Sequence, residues 1–172
     1  MEQSKVEFDV RFVNDNEQTL IFSFLCLAAR MPEGHEPIQK ALSDSFLTKY
    51  WFNWGRPGDL GAVAIESKSG MPISCSWIRV FSKEEAGNGF VGEGIPELAT
   101  GTVDICRNQG IGKATLDCLI SKAQSKYAGI CLSVREDNPA LRLYERLGFR
   151  KVAGSEMTNR LGTQSANMLL LF

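Results

Sequence analysis

The segment RNQGIGKA, residues 107–114, has the residue types and spacing of a turn that binds phosphate. Gly110 and Gly112 would let a ligand approach the backbone closely, and the first N–H groups of a following helix would point at it. The positive end of that helix favours an anion. Arg107 and Lys113 would add positive charge at the rim. The alternative is a glycine turn that only joins a strand to a helix.

Two common phosphate-binding motifs do not fit this segment. A P-loop requires GxxxxGK[ST], but Gly112-Lys113 is followed by Ala114 and the leading position is Arg107. A dinucleotide-binding fingerprint requires a third glycine where this chain has Thr115, and it belongs to a first βα unit rather than to one late in the chain. We therefore expect neither a P-loop NTPase nor a Rossmann dehydrogenase.

Hydrophobic periodicity predicts an α/β order for the elements that must hold this turn. Strands are predicted at residues 6–13, 60–66, 73–81, 97–105 and 130–134, and residues 152–158 and 168–172 could close the sheet as a hairpin. Helices are predicted at residues 19–30, 38–52, 111–123 and from Asn138 to Gly148, with a glycine-rich loop at 86–96. Gly101 interrupts its strand and indicates a bulge or a close backbone approach.

A second segment, NPALRLYERLGF at residues 138–149, follows the turn at the distance of one helix and one strand. Together the two segments resemble the hallmarks of the GNAT superfamily of acetyl-CoA-dependent N-acetyltransferases, RxxGxG/A at one helix start and AxxxYxxxGF on the next helix. The match is clear over residues 97–151, and WGRPGDLG, residues 54–61, resembles a segment of a bacterial branch. The resemblance implies a GNAT fold, an α/β fold with flanking helices and a mixed central β-sheet of about six to seven strands, splayed at the two central parallel strands.

The resemblance also implies a site for acetyl-CoA as cosubstrate, and the absence of a metal-ligand cluster from the sequence predicts no metal. Backbone N–H groups and charges of the turn would hold the pyrophosphate, through Arg107, Gln109, Gly110, Ile111, Gly112, Lys113 and Ala114. The pantetheine arm would pair like an added strand with Thr100, Gly101 and Thr102, wedged where their strand splays from residues 130–134. Asn138 is expected to cap its helix, with a CoA contact as the alternative, because many relatives place the asparagine that contacts CoA one residue earlier.

The implied chemistry is direct attack of an amine on a thioester. A free primary amine has a pKa of about 10.4, so the reaction needs a base or a proton wire at neutral pH. Tyr144 occupies the position of the family's general acid; the alternative is a half-buried helix aromatic with a wet hydroxyl. Glu97 is the best candidate for the base, ahead of Glu93. A water chain as base and a solvated carboxylate at Glu97 stay open.

The amine pocket is expected to draw on Trp51, Trp54 and Arg56, because the family's acceptor sites lie beside the second helix and its following loop. Core packing is the alternative for both tryptophans. We expect a small-molecule amine as acceptor, with a protein or peptide amine as a variant. A non-catalytic acyl-CoA binding domain on the same fold is the competing function, and the presence of Tyr144 argues against it.

Length and composition favour one domain spanning residues 1–172, with 44% hydrophobic residues, 23% charged residues and a net charge of -1, whereas the scattered cysteines and the N-terminal sequence favour a cytoplasmic location. That charge gives no reason to expect nucleic acid or an anionic membrane as partner. We expect no secretory signal and no membrane span, since the longest apolar run, residues 20–29, is short. The five cysteines form no CxxC pair, which favours reduced thiols and no metal site. A homodimer stays open.

Overall fold

A mixed β-sheet with flanking helices forms the architecture in the computed structural model, which describes residues 5–29, 35–159 and 162–172. The strands are β1 Phe8–Phe12, β2 Leu60–Glu66, β3 Pro72–Arg79, β4 Glu97–Thr102, β5 Gly129–Arg135, β6 Arg150–Lys151, β7 Met157–Thr158 and β8 Gln164–Leu171. The helices are α1 Gln18–Ala28, α2 His35–Ser43, α3 Ser45–Thr48, α4 Ile111–Ala123 and α5 Leu141–Arg146, and a 3-10 turn covers Asp104–Cys106. No helix in these ranges is long and apolar enough to cross a membrane.

The strand order within the described residues is β1-β2-β3-β4-β5-β8-β6, and β7 also pairs with β8. β1 runs antiparallel to β2, and β5 runs antiparallel to β8. β4 and β5 are parallel, with Glu97 in register with Cys131. The predicted fold class is therefore confirmed. The sheet has eight strands rather than the expected six to seven, and two of them, β6 and β7, contain only two residues each.

Two compact units divide the chain. The first comprises Met1–Trp77 and Ala99–Ser121, and the second comprises Ile78–Leu98 and Lys122–Phe172. The first unit holds α1 to α3, the end of β4 and nearly all of α4, whereas the second holds α5 and β5 to β8. The single-domain organisation expected from the sequence stays a prediction.

In the first unit, an apolar cluster anchors the start of α4. Ile111, the first residue of the helix, is fully buried with Ala64 of β2, Ile73 of β3 and Cys106 of the 3-10 turn. Burial of these side chains fixes the position of the turn that precedes α4, since apolar area removed from water stabilises the folded state. Helix α4 has the predicted bounds, residues 111–123.

In the second unit, α5 and the residue pair after it form a short packed element. Gly148 has φ of +98°, the left-handed conformation predicted for the end of this helix. Phe149 N donates to Tyr144 O at 3.0 Å, and the two rings meet edge to face with centroids 5.8 Å apart. Phe149 is fully buried, so it holds α5 against the core of its own unit.

The helix predicted over residues 38–52 is wrong in its extent. The chain instead forms α2 and α3, and α3 ends at Thr48. Asp44 separates them: its backbone is extended, and its carboxylate accepts hydrogen bonds from Phe46 N at 2.8 Å and Leu47 N at 3.3 Å. An aspartate in this geometry starts a new helix by satisfying its first N–H groups.

Two predicted strands differ as well. The strand predicted to reach residue 105 ends at Thr102, because Asp104–Cys106 turns before α4 begins. The strand predicted at 152–158 is replaced by β6 and β7, separated by a turn in which Ser155 Oγ donates to Val152 O. Both pair with β8, which begins at Gln164 rather than at the predicted residue 168.

Candidate functional site

The turn before α4 presents backbone donors at the start of the helix. Asn108, with φ of +62°, and Gly110, with φ of +81°, both adopt the left-handed conformation that directs the chain into the helix. Within the described residues, the N–H groups of Ile111, Gly112 and Lys113 donate to no acceptor. Three unpaired donors at the positive end of a 13-residue helix are suited to an anion.

Gly112 lies close to the hydroxyls of β3 and β4 at this helix start. A Cβ at residue 112 would lie 3.0 Å from Thr102 Oγ1 and 3.9 Å from Ser74 Oγ. At Gly110 the space is open, and the requirement for glycine there is its positive φ. Ala114 N already donates to Gly110 O at 3.0 Å, so its N–H begins the hydrogen-bond ladder of the helix.

The two cations predicted at the rim are each paired with a carboxylate. Arg107 lies 2.7 Å from Asp104, and its Nε donates to Thr102 O at 3.3 Å. Lys113 Nζ lies 2.6 Å from Asp117 Oδ2, one helical turn ahead. All four charged side chains are substantially exposed, so these pairs contribute little to stability, and an anion would compete with the two carboxylates for the cations.

Gln109 uses its side chain within the protein. Its Oε1 accepts a hydrogen bond from Val6 N at 3.0 Å, and its Nε2 donates to Ile105 O at 3.4 Å. The amide therefore ties the turn to the residues that precede β1. A contact of Gln109 with acetyl-CoA stays a prediction.

Thr100 and Thr102 direct their hydroxyls into a network of five side chains of the first unit, here called the hydroxyl network: Ser74, Ser76, Thr100, Thr102 and Thr115. Ser76 Oγ lies 2.7 Å from Thr100 Oγ1, and Ser74 Oγ lies 2.8 Å from Thr102 Oγ1. Thr115 Oγ1 of α4 lies 2.8 Å from Ser76 Oγ and donates to Gly112 O at 3.0 Å. Only the backbone of Thr100 and Thr102 is left for the predicted pairing with a pantetheine arm.

The sequence analysis missed Ser74, Ser76 and Thr115. The signal was present, because Ser74 and Ser76 alternate with apolar residues and therefore share one face of β3. Both serines and Thr115 are fully buried. Buried hydroxyls require partners, and each of these has at least one.

Gly101 is the position of close approach that the sequence predicted. A Cβ there would lie 2.9 Å from Phe24 O and 3.2 Å from Leu27 Cβ, so the neighbour in contact is α1. The absence of a side chain at Gly101 is therefore explained by helix packing on β4. A role for its backbone toward a cosubstrate stays a prediction.

Tyr144 is 6% exposed in the second unit, which excludes the half-buried ring considered as its alternative. Burial raises the pKa of its phenol to about 12, because the charged phenolate is poorly solvated there. No described residue makes a hydrogen bond with its hydroxyl. The phenol is thus a protonated group across the physiological range and has its donor available.

Glu97 is 5% exposed, so it is not a solvated strand-end carboxylate. Its Oε1 accepts a hydrogen bond from Gly89 N at 3.0 Å, in the loop before β4. A Cβ at Gly89 would lie 2.7 Å from Ser133 N and 2.8 Å from Glu97 Oε1, so this loop packs directly on the carboxylate. Burial and the charge of Glu97 raise the pKa of the Cys131 thiol to about 12. Glu93 is exposed.

The three residues predicted to contact the amine make contacts within the first unit. Trp51 is half-buried and packs against Phe22, with ring centroids 4.8 Å apart. Trp54 is 7% exposed, and its indole donates to Asn14 O at 3.0 Å. Arg56 Nε lies 3.9 Å from Asp59 Oδ1, and the Arg56 side chain is partly exposed. These contacts give Trp54 a structural role, and the acceptor role of all three stays a prediction.

Asn138 caps a turn rather than the helix itself. Its Oδ1 accepts from Ala140 N at 2.9 Å, and its carbonyl accepts from Leu141 N at 3.0 Å. The residue before α5 is Ala140, which makes no side-chain cap, so the helix begins two residues later than the predicted cap implies. Asn138 is partly exposed, and its contact with CoA stays a prediction.

In the described parts of the chain, no group of three or more His, Cys, Asp or Glu side chains is arranged to hold a metal ion. The polar groups gathered by α4 are backbone donors and neutral hydroxyls. Such groups suit an anion better than a metal ion.

The family model of the acetyltransferase (GNAT) domain matches residues 75–151. This range includes most of β3, the turn before α4, and Tyr144. No curated protein sequence is a significant match to the chain.

Several solved structures share the fold. A GCN5-related N-acetyltransferase from Kribbella flavida has a TM-score of 0.67 at 17% identity, with 96% of this chain and 98% of that chain covered. The NatC complex bound to Gag peptide and CoA has a TM-score of 0.62 at 19% identity, with 96% and 99% covered. The protein yncA from Salmonella typhimurium, solved with its cofactor acetyl-CoA, has a TM-score of 0.63 at 17% identity, with 95% and 93% covered. At these identities the likeness shows the fold.

Proposed function

We propose that the chain, whose residues 75–151 match the family model of the acetyltransferase (GNAT) domain, transfers the acetyl group of acetyl-CoA directly to the amine of a small molecule. The observation that carries the choice of cosubstrate is the start of α4. There the backbone N–H groups of Ile111, Gly112 and Lys113 have no acceptor among the described residues. This arrangement fits a pyrophosphate, which offers several anionic oxygens to backbone donors.

The proposed reaction forms one bond and breaks one. The amine nitrogen attacks the thioester carbonyl, the new C–N bond forms, and the C–S bond breaks with the electron pair leaving on sulfur. One proton must leave the amine and one must reach the sulfur. The chain's own groups are assigned to these two proton transfers, since attack requires a neutral amine.

Glu97 is the group assigned to the amine proton. Its carboxylate is buried, and the Gly89 N–H holds one of its oxygens in a fixed direction. A water chain that leads to Glu97 would serve the same purpose.

Tyr144 is the group assigned to the sulfur. A free thiol has a pKa of about 8.5, so transfer from a phenol with a pKa of about 12 to a solvated thiolate would be uphill by about 5 kcal/mol. Shielding from water raises the pKa of a thiol, because the charged thiolate is poorly solvated. Tyr144 is therefore a better acid for a thiolate that leaves into surroundings without water than for a solvated thiolate.

A peptide or protein amine is the second candidate for the acceptor. The similarity to the NatC complex bound to Gag peptide and CoA favours it, because that structure shares the fold over nearly the whole chain. Trp51, Trp54 and Arg56 are proposed to line the acceptor pocket in either case. Cytoplasmic location and a homodimer are likewise proposals that follow from the sequence alone.

The test has two stages. First, saturating acetyl-CoA should raise the melting temperature of the purified chain, with or without a chelator. At about 100 times the dissociation constant the expected stabilisation is about 2.7 kcal/mol, or roughly 5 to 10 °C for a chain of this size. Absence of any shift would refute the cosubstrate.

In the second stage, thiol release from acetyl-CoA is measured with a panel of small amines and of short peptides with free N-termini. Release with a small amine supports the proposal, and release only with peptides supports the second candidate. Binding of acetyl-CoA without release for any member of the panel would favour a binding domain without catalysis.

A further inference from the structure

The hydroxyl network links α4 to two neighbouring strands of the sheet, β3 and β4. Ser74 and Ser76 lie on β3, Thr100 and Thr102 on β4, and Thr115 on α4. Ser76 Oγ lies between Thr100 Oγ1, at 2.7 Å, and Thr115 Oγ1, at 2.8 Å. It therefore bridges the strand to the helix through two short hydrogen bonds.

The hydrogen bonds of this bridge end on a backbone carbonyl at each side. Thr115 Oγ1 can donate to Gly112 O at 3.0 Å, and Thr100 Oγ1 can donate to Cys75 O at 3.3 Å. Either atom can be the donor between Thr100 and Ser76 and between Ser76 and Thr115, so the protons can follow one another in either direction. In both cases the hydroxyls connect β4 with the first turn of α4.

Ser74 and Thr102 form a second contact with the first turn of α4. Ser74 Oγ lies 2.8 Å from Thr102 Oγ1 and donates to Gly101 O at 3.2 Å. The Thr102 hydroxyl is also the atom that a Cβ at Gly112 would approach to 3.0 Å. Two contacts thus hold the first turn of α4. The Gly112 carbonyl accepts a hydrogen bond from Thr115, and Gly112 packs against the Thr102 hydroxyl.

We propose that Thr115 is a positioning residue that fixes the first turn of α4 relative to β4. It would thereby keep the pyrophosphate site and the pantetheine site at the distance that one CoA molecule spans. The inference rests on the proposed function, which places the pyrophosphate at residues 109–114 and the pantetheine arm at residues 100–102. Thr115 is fully buried and acts through Ser76 and Gly112 rather than on the cosubstrate.

The physical reason is the gain from holding two parts of one ligand at once. When both anchors are in register, binding of one end of CoA raises the effective concentration of the other end. A small displacement of the helix turn removes this gain without removing either anchor. The loss therefore falls on the whole molecule and spares a fragment that uses one anchor.

The experiment compares CoA with 3′-phosphoadenosine 5′-diphosphate, which keeps the nucleotide and the pyrophosphate and lacks the pantetheine arm. Dissociation constants for both are measured by calorimetry for the wild type and for Thr115→Val, which keeps the shape and removes the hydroxyl. The variant should bind CoA at least tenfold more weakly, equivalent to 1.4 kcal/mol. Its affinity for the fragment should stay within about twofold of the wild type, far less than the tenfold step.

Two further variants separate positioning from general damage to the fold. Thr115→Ser restores the hydroxyl and should recover most of the CoA affinity, whereas Ser76→Ala breaks the bridge from its other side and should reproduce the selective loss. The matched control is Thr48→Val, in which a helical threonine that donates to Asp44 O at 2.8 Å loses its hydroxyl. It should leave both affinities unchanged.

Equal weakening of CoA and fragment by Thr115→Val, or no weakening of either, would refute the positioning role while the proposed function stands. Failure of the serine variant to recover CoA affinity would refute it too. If the wild type binds neither ligand, the proposed function fails, and the inference fails with it.

Discussion

Replacing Tyr144 by phenylalanine removes one oxygen and keeps the ring that packs against Phe149. Tyr144 is 6% exposed, and its hydroxyl has no hydrogen-bond partner among the described residues, so its loss breaks no protein hydrogen bond. The free energy of unfolding should therefore stay within about 1 kcal/mol of the wild type. Any larger effect of Tyr144→Phe on turnover would then belong to the reaction.

The size of that effect follows from the chemistry assigned to the phenol. If Tyr144 only donates a hydrogen bond to the departing thiolate, the loss is that of a bond to a charged group, about 1.5 to 3 kcal/mol, or roughly 10- to 150-fold in turnover. If it also transfers its proton, the loss reaches about 10² to 10⁴. With a pKa of about 12, the phenol stays protonated at lower pH, so it should cause no decline in wild-type turnover between about pH 7 and 10.

The assay is steady-state thiol release with an accepted amine, beside calorimetric affinity for acetyl-CoA. Affinity should change little, because the phenol is proposed to meet charge that exists only as sulfur leaves. Tyr127→Phe, outside α5, is the matched control and should retain full turnover. A fall of less than about threefold in Tyr144→Phe, below the whole range for a bond to a charged group, would refute the assignment.

Three further outcomes are expected. Gly112→Asp should abolish the melting shift caused by acetyl-CoA, because its Cβ would lie 3.0 Å from a hydroxyl and its charge would repel the pyrophosphate. The control Gly92→Asp, whose side chain would enter open space, should retain the shift. Equal shifts in both variants would contradict the proposed site. Glu97→Gln should lower kcat/KM by about 10² or more and the exposed Glu93→Gln should not, and the reverse order in the kinetics would exchange their roles. Asp44→Ala should cost about 1 kcal/mol of stability by removing the cap of α3, seen as a fall of roughly 2 to 4 °C in melting temperature, and an unchanged melting temperature would deny the cap its role.

Local patterns predicted the elements whose boundaries are set locally. The helix at residues 111–123 and the strand at 60–66 have their predicted bounds, because periodic burial and turn residues fix both ends. The prediction of one helix at residues 38–52 was wrong because the helical periodicity continues across Asp44, whereas the extended backbone of Asp44 ends one helix and its side chain caps the next. The strand predicted at 152–158 was wrong because pairing with β8 determines which residues of this segment form a strand.

The candidate site divides in the same way. The motif located the turn before α4 and Tyr144, since both are read from residues adjacent in sequence. The partners of Thr100 and Thr102 depend on β3 lying beside β4, which no local pattern specifies. Gly101 illustrates the limit: its need for a close approach was predicted, but the neighbour is α1, more than 70 residues away in the chain.

Two buried thiols make the opening of each unit separately measurable. Cys75 lies in the first unit and Cys131 in the second, both fully buried, and burial raises the pKa of each thiol. A thiol reagent reacts with the thiolate, so each cysteine is labelled only when the chain around it opens. Acetyl-CoA bound at the start of α4 would slow the labelling of Cys75 by the factor by which it stabilises the first unit. The labelling rate of Cys131 in the same sample then reports cooperativity: equal slowing means that the two units open as one, and an unchanged rate means that they open independently.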